Sequence, residues 1–500
     1  MRHAALSFIP SVLLSSAFAI NIPFRKVHTR SSTRGLHSIN VTRLSESGNV
    51  SVFENIDNIR YVGDIALAGD TFEVILDTGS NDFWIYESEP LSQYYNTSIK
   101  AADTYGPSNE QSKTAGYVIL ADVVFGGFNI QNQSLIKELS VSSGILNPGV
   151  SGVVGLGPPT GYSSIIRSLT HANSTINGTG PMENIFLHNP DMEPQFTILM
   201  SRNDDTNVTA GGSFTIGEPI SEYAAVTQQP VLPLLTNATH NIGLDYWTIH
   251  VDAITINGKR YDTSPSGTQN ISAFLDTGTP TALVDPMFVD AIYGSSLQTT
   301  EDGTLSFIPC DTYYNVSIEL GGVEYPLNPL DMIWPWDIDE NGNAICVGAL
   351  QRNTYLGMPK GTWILGDTFL RNVYSLFNMN LWNKSGGISV PFVQLLSLTN
   401  ATEAHIQFTS QNAARMAAFQ TSEREVSGFT PVKAGPNIVE VIIIMSSIGV
   451  LLLIAAIVWA VKVIRRRRAL RLGKYAAVGT PGDIPQYEPP SYRQYGGSES

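Results

Sequence analysis

The sequence predicts a protein built mainly of β-strands, divided into two or three folding units and followed by one membrane-spanning helix. The chain of 500 residues is too long for one ordinary hydrophobic core. It contains 43 Gly and 28 Pro, and its Val, Ile and Thr residues occur in short runs typical of strands. Residues 441–461 form a stretch of 21 residues without a charge, which is long enough to cross a bilayer as a helix.

The N-terminal region is typical of an exported protein. Residues 1–19 combine one Arg, an apolar stretch and the small-residue pattern Ala17-Phe18-Ala19, which together predict a signal peptide. A buried N-terminal strand is the alternative. Residues 20–45 hold five basic residues and no acidic one, so we predict that residues 20–50 are either an inhibitory pro-segment over an acidic cleft or a disordered linker.

The charges around residues 441–461 predict the orientation of the membrane span. Six Lys and Arg residues follow between positions 462 and 471, and basic residues mark the cytoplasmic end of a span. About 39 residues follow the span, which excludes a GPI signal. Twelve Asn-x-Ser/Thr sequons precede the span and indicate a glycosylated lumenal side. They are Asn40, Asn49, Asn96, Asn132, Asn173, Asn177, Asn207, Asn237, Asn270, Asn315, Asn383 and Asn400.

These signals predict a single-pass type I membrane glycoprotein. Its ectodomain would be extracellular or in the vacuolar or secretory lumen, and its C-terminus would be cytoplasmic. Residues 396–437, which are polar with a short helix near 412–419, are predicted to form a stalk below the ectodomain. Residues 438–461 would be the transmembrane helix and residues 462–500 the cytoplasmic tail.

The predicted tail carries a candidate protein-binding motif. Pro489, Pro490 and Tyr492 have the Pro-Pro-x-Tyr form that WW domains bind as a polyproline helix. On a cytoplasmic tail this motif predicts recruitment of a WW-domain ubiquitin ligase and regulated sorting. A Pro-rich disordered tail without a partner is the alternative.

Charge and cysteine content narrow the classes of partner. The formal net charge of −15 argues against nucleic acid as a partner. Cys310 and Cys346 are the two cysteines, and in an oxidising compartment they are expected to form one disulfide, worth about 3–4 kcal/mol. The absence of CxxC and HExxH patterns argues against zinc, so neither a metal nor a cofactor is predicted.

One short turn occurs twice in the chain and predicts the chemistry. The segments "ILDTGSNDFW" (75–84) and "FLDTGTPTAL" (274–283) place Asp77 and Asp276 at matched positions behind apolar strands. Two carboxyl groups held close together share a proton in acid. One can then act as a base towards water and the other as an acid towards a carbonyl. We therefore predict that Asp77 and Asp276 are a catalytic pair that hydrolyses amides.

The residues after each Asp fit this role. Gly79 and Gly278 permit tight turns and close approach of the backbone. The hydroxyl groups of Ser80 and Thr279 can donate hydrogen bonds to the outer carboxylate oxygens.

With these motifs in view, the chain resembles the pepsin-like aspartic proteases over roughly 320 residues, from position 61 to position 380. The segments "SGVVGLGPP" (151–159) and "TWILGD" (362–367) resemble those that cross behind each catalytic loop in that family. The resemblance implies an all-β, bilobal fold with lobes at 51–225 and 226–395, related by an approximate two-fold axis. It also implies a monomeric endopeptidase that cuts extended peptides in acid and needs no cofactor.

The resemblance also assigns roles to individual residues. Thr78 and Thr277 would exchange hydrogen bonds between the two loops. Tyr105 would be the tyrosine of a flap over the cleft, and Trp84 the indole that bonds to it. Cys310 and Cys346 lie where the family commonly has a disulfide in its second lobe.

Two further function classes remain open at this point. The first is an inactive pepsin-fold glycoprotein that acts as a receptor or cell-wall binder, which Asp77→Asn would distinguish from a peptidase. The second is a trafficking adaptor that acts through its tail, which deletion of residues 481–492 would reveal.

Overall fold

A computed structural model of the chain describes most residues between 60 and 427 and three short strands before them. The described residues are 40–43, 50–52, 54–56, 60–86, 91–105, 112–141, 146, 150–159, 162–202, 212–235, 246–263, 270–295, 297–300, 303, 305–353, 361–382 and 390–427.

The described residues form twenty-seven strands, five α-helices and two 3₁₀ segments, at Ser221–Gln228 and Pro329–Asp331. The strands are β1 (Asn40–Arg43), β2 (Val50–Val52), β3 (Glu54–Ile56), β4 (Arg60–Leu67), β5 (Asp70–Asp77), β6 (Phe83–Ile85), β7 (Tyr95–Tyr105), β8 (Ser112–Phe125), β9 (Phe128–Val141), β10 (Val150–Gly155), β11 (Gln195–Met200), β12 (Gly212–Ile216), β13 (Leu232–Pro233), β14 (Thr248–His250), β15 (Ala253–Ile256), β16 (Lys259–Asp262), β17 (Ser272–Leu275), β18 (Ala282–Val284), β19 (Phe307–Ile308), β20 (Val316–Leu320), β21 (Val323–Pro326), β22 (Ile333–Ile338), β23 (Ala344–Gly348), β24 (Leu350–Arg352), β25 (Thr362–Leu365), β26 (Val373–Asn378) and β27 (Phe392–Ser397). The helices are α1 (Ser164–His171), α2 (Pro181–His188), α3 (Pro286–Tyr293), α4 (Asp367–Leu370) and α5 (Ala401–Ser427).

The first lobe is built on a nine-stranded sheet. Its order is β1-β9-β6-β10-β5-β4-β8-β7, with β3 added to the edge of β4. The strands β7 and β8 form a long antiparallel hairpin, which we call the flap. Helices α1 and α2 pack against this sheet, with α1 on β7 and β9.

The second lobe contains three smaller sheets. A five-stranded sheet has the order β14-β17-β25-β18-β24, a four-stranded sheet the order β16-β15-β20-β21, and a three-stranded sheet the order β19-β23-β22. A six-stranded sheet of order β13-β27-β26-β11-β12-β2 takes strands from both lobes and joins them. The prediction of a mostly β, bilobal fold is therefore confirmed.

The two lobes repeat one local topology. In the first lobe β10 lies between β5, to which it is parallel, and β6, to which it is antiparallel. In the second lobe β25 is parallel to β17 and antiparallel to β18. Each Asp-Thr-Gly turn therefore follows a strand whose neighbouring strand crosses behind the turn.

Two tryptophans, Trp247 and Trp363, anchor the core, and each is fully buried with its N–H satisfied. Trp247 Nε1 donates to the carbonyl of Leu156, 2.8 Å away, and so ties the second lobe to the first. Trp363 Nε1 donates to Asp285 at 2.8 Å within the second lobe. These pairings follow the rule that a buried indole N–H finds an acceptor.

The structure corrects the predicted stalk at 396–437. In place of a short helix in a polar linker, α5 runs for 27 residues from Ala401 to Ser427 and packs against β22, β23 and a 3₁₀ segment of the second lobe. Its buried residues recur every four positions, as on one face of a helix. They are Ala404, Phe408, Asn412 and Met416.

The disulfide between Cys310 and Cys346 is present, as predicted, with an S–S distance of 2.00 Å. It lies under α5, because Asn412 Nδ2 donates to the Cys310 carbonyl at 2.8 Å and the Met416 sulfur lies 3.7 Å from Cys346 Sγ. The disulfide and the helix therefore stabilise the same edge of the second lobe.

Several predicted segments lie outside the described residues. These are the signal peptide at 1–19, the transmembrane helix at 438–461 and the tail at 462–500, which includes Pro489, Pro490 and Tyr492. Across the part of the chain that the structure does describe, no helix is both long enough and apolar enough to cross a membrane.

Candidate active site

The two Asp-Thr-Gly turns meet between the lobes. Strand β5 passes from exposed to buried along its length and ends at Asp77, while β17 ends one residue before Asp276. A Cβ atom added to Gly79 would lie 2.4 Å from Asp276 Oδ1, and one added to Gly278 would lie 2.5 Å from Asp77 Oδ1. Both positions require glycine because each turn's backbone presses on the opposite carboxyl group.

Each carboxyl group accepts the same pair of hydrogen bonds from its own turn. Asp77 accepts from the N–H of Gly79 at 2.8 Å and from the hydroxyl of Ser80 at 2.5 Å. The second turn repeats this pattern, because Asp276 accepts from the N–H of Gly278 at 2.8 Å and from the hydroxyl of Thr279 at 2.7 Å. These bonds fix both side chains in one orientation.

The two threonines lock the turns to each other. The N–H of Thr78 donates to Thr277 Oγ1 and the N–H of Thr277 donates to Thr78 Oγ1, both at 3.0 Å. Thr78 Oγ1 in turn donates to the Leu275 carbonyl at 2.8 Å, and Thr277 Oγ1 donates to the Leu76 carbonyl at 2.6 Å. All four bonds are buried, so they hold the two strand ends at one separation.

A glycine lets a strand cross closely behind each turn. A Cβ atom at Gly155 would lie 2.5 Å from the Asn81 backbone, and one at Gly366 would lie 2.0 Å from the Thr279 carbonyl oxygen. The Leu156 N–H donates to the Asp77 carbonyl at 2.7 Å, which braces the first turn from behind.

Burial and proximity change the proton affinity of the pair. Burial, followed by the negative charge of Asp77, raises the pKa of Asp276 to about 7. Because each carboxyl group lies against the opposite turn, the two cannot both ionise without a large electrostatic cost. Below neutral pH Asp276 therefore holds a proton, as amide hydrolysis by two carboxyl groups requires of its acid member.

The flap brings an aromatic pair to the site. Trp84 on β6 is fully buried, and its Nε1 donates to the hydroxyl of Tyr105, 2.5 Å away, at the end of β7. Burial, then the charges of Asp103 and Asp77, raises the pKa of Tyr105. The Tyr105 hydroxyl therefore lies close enough to Asp77 to interact with it and stays protonated across the acidic and neutral range.

Two groups of charged residues near the site were not found from the sequence. The first is a set of three carboxyl groups near the turn end of the flap, those of Asp82, Asp103 and Glu138, which we call the carboxyl cluster. Asp82 stands inside the first catalytic motif and Asp103 two residues before the flap tyrosine. The positions of Asp82 and Asp103 beside predicted site residues were the only feature of the sequence that pointed to the carboxyl cluster.

The second group is an ion-pair network between the lobes. Asp331 accepts hydrogen bonds from Arg202 of the first lobe and, at 2.8 Å, from Arg371 Nε of the second. Burial alone would raise the pKa of Asp331, but the two guanidinium groups outweigh it and lower the pKa to about 2. The network therefore stays charged in acid. Arg202 lies in the segment "SRND" (201–204), and its partners Asp331 and Asn372 are 129 and 170 positions away in the sequence.

Among the described residues, no group of three or more His, Cys, Asp or Glu is arranged to hold a metal ion. The predicted site residues that the structure brings together are Asp77 and Asp276, the residues Thr78, Gly79, Ser80, Thr277, Gly278 and Thr279 that follow them, and the pair Trp84 and Tyr105.

Comparisons with known proteins agree with this geometry. The sequence model of the eukaryotic aspartyl protease family matches residues 60–387. The chain is 24% identical over 383 residues to a probable aspartic-type endopeptidase of Aspergillus fumigatus, covering 71% of this chain and 84% of that protein. It is 26% identical over 374 residues to a probable vacuolar protease A of Trichophyton verrucosum, covering 67% and 80%.

A solved structure supports the fold independently. The crystal structure of an aspartic proteinase from Irpex lacteus superposes with a TM-score of 0.53 at 17% identity, covering 71% of this chain and 99% of that one.

Proposed function

The chain belongs to the eukaryotic aspartyl protease family and is a pepsin-like aspartic endopeptidase; from this premise we propose that it cleaves peptides in acid with a water activated between Asp77 and Asp276, as a type I membrane glycoprotein. The observation that carries the catalytic part is the paired geometry of the turns. Each carboxyl group carries the same two donors, and each faces the other turn's glycine.

In this mechanism the pair holds one proton, on the Asp276 side, where the raised pKa favours it. The Asp77 carboxylate removes a proton from the bound water, and the water oxygen bonds to the peptide carbonyl carbon. The Asp276 carboxyl group gives its proton to the carbonyl oxygen, which forms a tetrahedral diol. Collapse of the diol breaks the C–N bond, while a proton moves to the leaving amine and the pair recovers its single proton.

The supporting residues have separate tasks in this proposal. Ser80 and Thr279 bond to the outer oxygens and leave the inner ones to face the water. Thr78 and Thr277 keep the two turns at a fixed distance. Tyr105 and Trp84 place the flap over an extended peptide and exclude bulk water from it.

Membrane tethering and glycosylation are proposed from the sequence, with one supporting observation in the described residues. The sequon residues Asn96, Asn173, Asn177, Asn270, Asn315 and Asn400 are exposed, and Asn132 is half-buried. Exposure is what glycan attachment requires. The anchor at 438–461, the WW-binding motif at 489–492 and a monomeric state remain predictions. A vacuolar location is favoured over the plasma membrane by the name of the Trichophyton relative.

The test uses the full-length chain in detergent, incubated with a mixed peptide library between pH 3 and pH 7. Acid-dependent cleavage is expected in the wild type, and pepstatin and Asp77→Asn should each abolish it. The matched control is Asp70→Asn, since Asp70 is an exposed carboxyl group at the other end of the same strand. No cleavage by the wild type, with or without residues 20–50, would favour the inactive binding protein.

The membrane arrangement needs a separate test in microsomes. A glycosidase should lower the apparent mass of the ectodomain, and an added protease should remove only the segment from about 462 onwards. Protection of that segment would overturn the type I orientation.

A further inference from the structure

We propose that the carboxyl cluster is a latch that holds the flap in its working position only while Asp103 and Glu138 are protonated. The inference rests on the proposed peptidase function for its biological meaning, since the flap covers that site. Asp103 and Glu138 would be positioning residues, because they act on substrate binding through Tyr105 and the flap strands.

The strand register brings the cluster together from three separate elements. Asp103 on β7 lies opposite Thr114 of β8, and two residues further along β8 Gly116 lies opposite Glu138 of β9. Asp82 comes from the connection between β5 and β6. The three carboxyl groups therefore meet near the turn end of the flap, where β8 is still paired with β9.

Asp82 anchors the cluster to helix α1. It accepts hydrogen bonds at the start of α1 from the hydroxyl of Ser163 at 2.6 Å, from the N–H of Ser164 at 2.7 Å and from the N–H of Ile165 at 3.3 Å. A helix N-terminus favours a carboxylate as its hydrogen-bond acceptor. The bonds also tie Asp82 to a helix that packs on β7 and β9.

Asp103 lies close enough to Asp82 and to the Tyr105 hydroxyl to interact with both. Burial, followed by the charge of Asp82, raises the pKa of Asp103 to about 7. When protonated, Asp103 can share its proton with the Asp82 carboxylate. When ionised, it places a second negative charge beside the first, and the two repel.

Glu138 has the most unusual surroundings of the three. Glu138 is only 3% exposed, and neither of its carboxyl oxygens has a hydrogen-bond partner among the described residues. The Thr114 hydroxyl lies near it but outside bonding geometry. Burial raises the pKa of Glu138 to about 8, and the charges of Asp103 and Asp82 add to this. An ionised carboxylate in such a place would be costly, so the group is stable only as the neutral acid.

The neighbouring charges do not offset the cluster. Lys137 precedes Glu138 on β9, and Lys113 precedes Thr114, the residue of β8 opposite Asp103. Side chains alternate along a strand, so both lysines point to the other face of the sheet. Arg167 on α1 is exposed and donates to the Tyr162 hydroxyl at 3.1 Å, and His171 is exposed at the far end of that helix. Tyr105 also interacts with Asp103, and it is not a cation.

The pH dependence of the latch follows from the raised pKa values of Asp103 and Glu138. Both lie above those of ordinary carboxyl groups, so the stabilisation by the protonated latch is complete below about pH 4. It is lost as the pH rises through about 7 for Asp103 and about 8 for Glu138. The flap would therefore be held tightly near its turn end in acid and loosened there by repulsion near neutral pH.

The latch is tested by hydrogen exchange of the full-length chain in detergent at pH 5 and pH 8, corrected for the chemical exchange rate. In the wild type, amides of Tyr95–Tyr105 and Ser112–Phe125 should exchange about tenfold faster at pH 8, the change that one pKa unit represents. Asp103→Asn and Glu138→Gln mimic the neutral acids, so their exchange should rise by less than about threefold.

The matched control is Glu183→Gln. Burial also raises the pKa of Glu183, on α2, but no charged neighbour contributes to that shift. This variant should show the same flap exchange as the wild type. If Glu138→Gln fails to fold, the half-buried Asp103 carries the test.

The outcomes separate the latch from the peptidase proposal. Flap exchange that is the same at both pH values, or unchanged by the two cluster variants, overturns the latch even if peptides are cleaved. Flap exchange that follows the prediction without any cleavage supports the latch and counts against the peptidase mechanism. When cleavage is present, the cluster variants should flatten the rise of KM between pH 5 and pH 7, while kcat continues to follow the catalytic pair.

Discussion

The two lobes present nearly identical catalytic turns on supports that differ widely. The turns share the same carboxylate donors and exchange equivalent threonine bonds. Beyond them, the first lobe adds the flap and the carboxyl cluster, whereas the second adds the disulfide and helix α5. The comparison teaches that symmetry is strict only where the two carboxyl groups meet, because only there does a small displacement change the chemistry.

The lobes also differ in how their buried acids respond to pH. Asp331 is stabilised as an anion by two arginines, while Asp103 and Glu138 have no described cation acting on them. The contact between the lobes therefore persists in acid, and under the proposed latch the flap of the first lobe is also most stable there.

The largest effect is expected from removing the charge that links the lobes. Asp331→Asn leaves Arg371 and Arg202 without their anion and should cost about 3–5 kcal/mol in the free energy of unfolding. Because the pKa of Asp331 is about 2, the loss should persist at pH 4 and shrink only as the pH falls towards 2. Urea unfolding followed by tryptophan fluorescence measures it.

The control is the exposed ion pair of Arg260 and Glu319. Glu319→Gln should change the unfolding free energy by less than about 1 kcal/mol. Equal losses in the two variants would show that the network between the lobes has no special role.

The next effect tests the symmetry of the turns. Gly79→Ala and Gly278→Ala each force a methyl group against the opposite Asp, so each should lower kcat/KM by about 100-fold. Steady-state kinetics at pH 4 provide the comparison. Gly180→Ala, whose added methyl would meet nothing closer than 3.8 Å, should retain activity. A large difference in kcat/KM between Gly79→Ala and Gly278→Ala would show that the two turns are not equivalent.

A smaller effect on stability is expected at helix α5, which packs only on the second lobe. Arg415 on α5 donates to the carbonyls of Leu330 at 2.8 Å and Ile333 at 2.7 Å. Arg415→Met should therefore lower the unfolding free energy by about 2 kcal/mol, as seen by calorimetry. Gln411→Met, at an exposed site of the same helix, should have little effect. If neither variant changes the unfolding free energy, the Arg415 contacts of α5 do not stabilise the second lobe.

The smallest effect concerns the flap. Tyr105→Phe removes the acceptor of the Trp84 N–H and should lower kcat/KM by about fivefold, which corresponds to about 1 kcal/mol. Tyr94→Phe, at an exposed position before the flap, is the control. An unchanged kcat/KM in Tyr105→Phe would mean that the hydroxyl does not position the flap.

Much of the fold and site could be predicted because the relevant constraints are local. An apolar strand followed by Asp-Thr-Gly and a hydroxyl residue specifies a buried strand end, a tight turn and its own carboxylate donors. The disulfide was predictable because there are only two cysteines. Helix α5 was underestimated, since Asn412 interrupts its apolar stripe and only the packed structure shows that Asn412 bonds to the Cys310 carbonyl.

The sequence by itself determined the two catalytic turns, their strands and the family of the chain, because these depend on residues adjacent in the sequence. The tertiary structure decided which distant charges meet. Asp82, Asp103 and Glu138 come together through the register of β7, β8 and β9, and Asp331 meets Arg202 only across the joint between the lobes. The physical reason is that register and burial are set by packing of the whole sheet, and burial then determines whether a carboxyl group is held as an acid or as an anion.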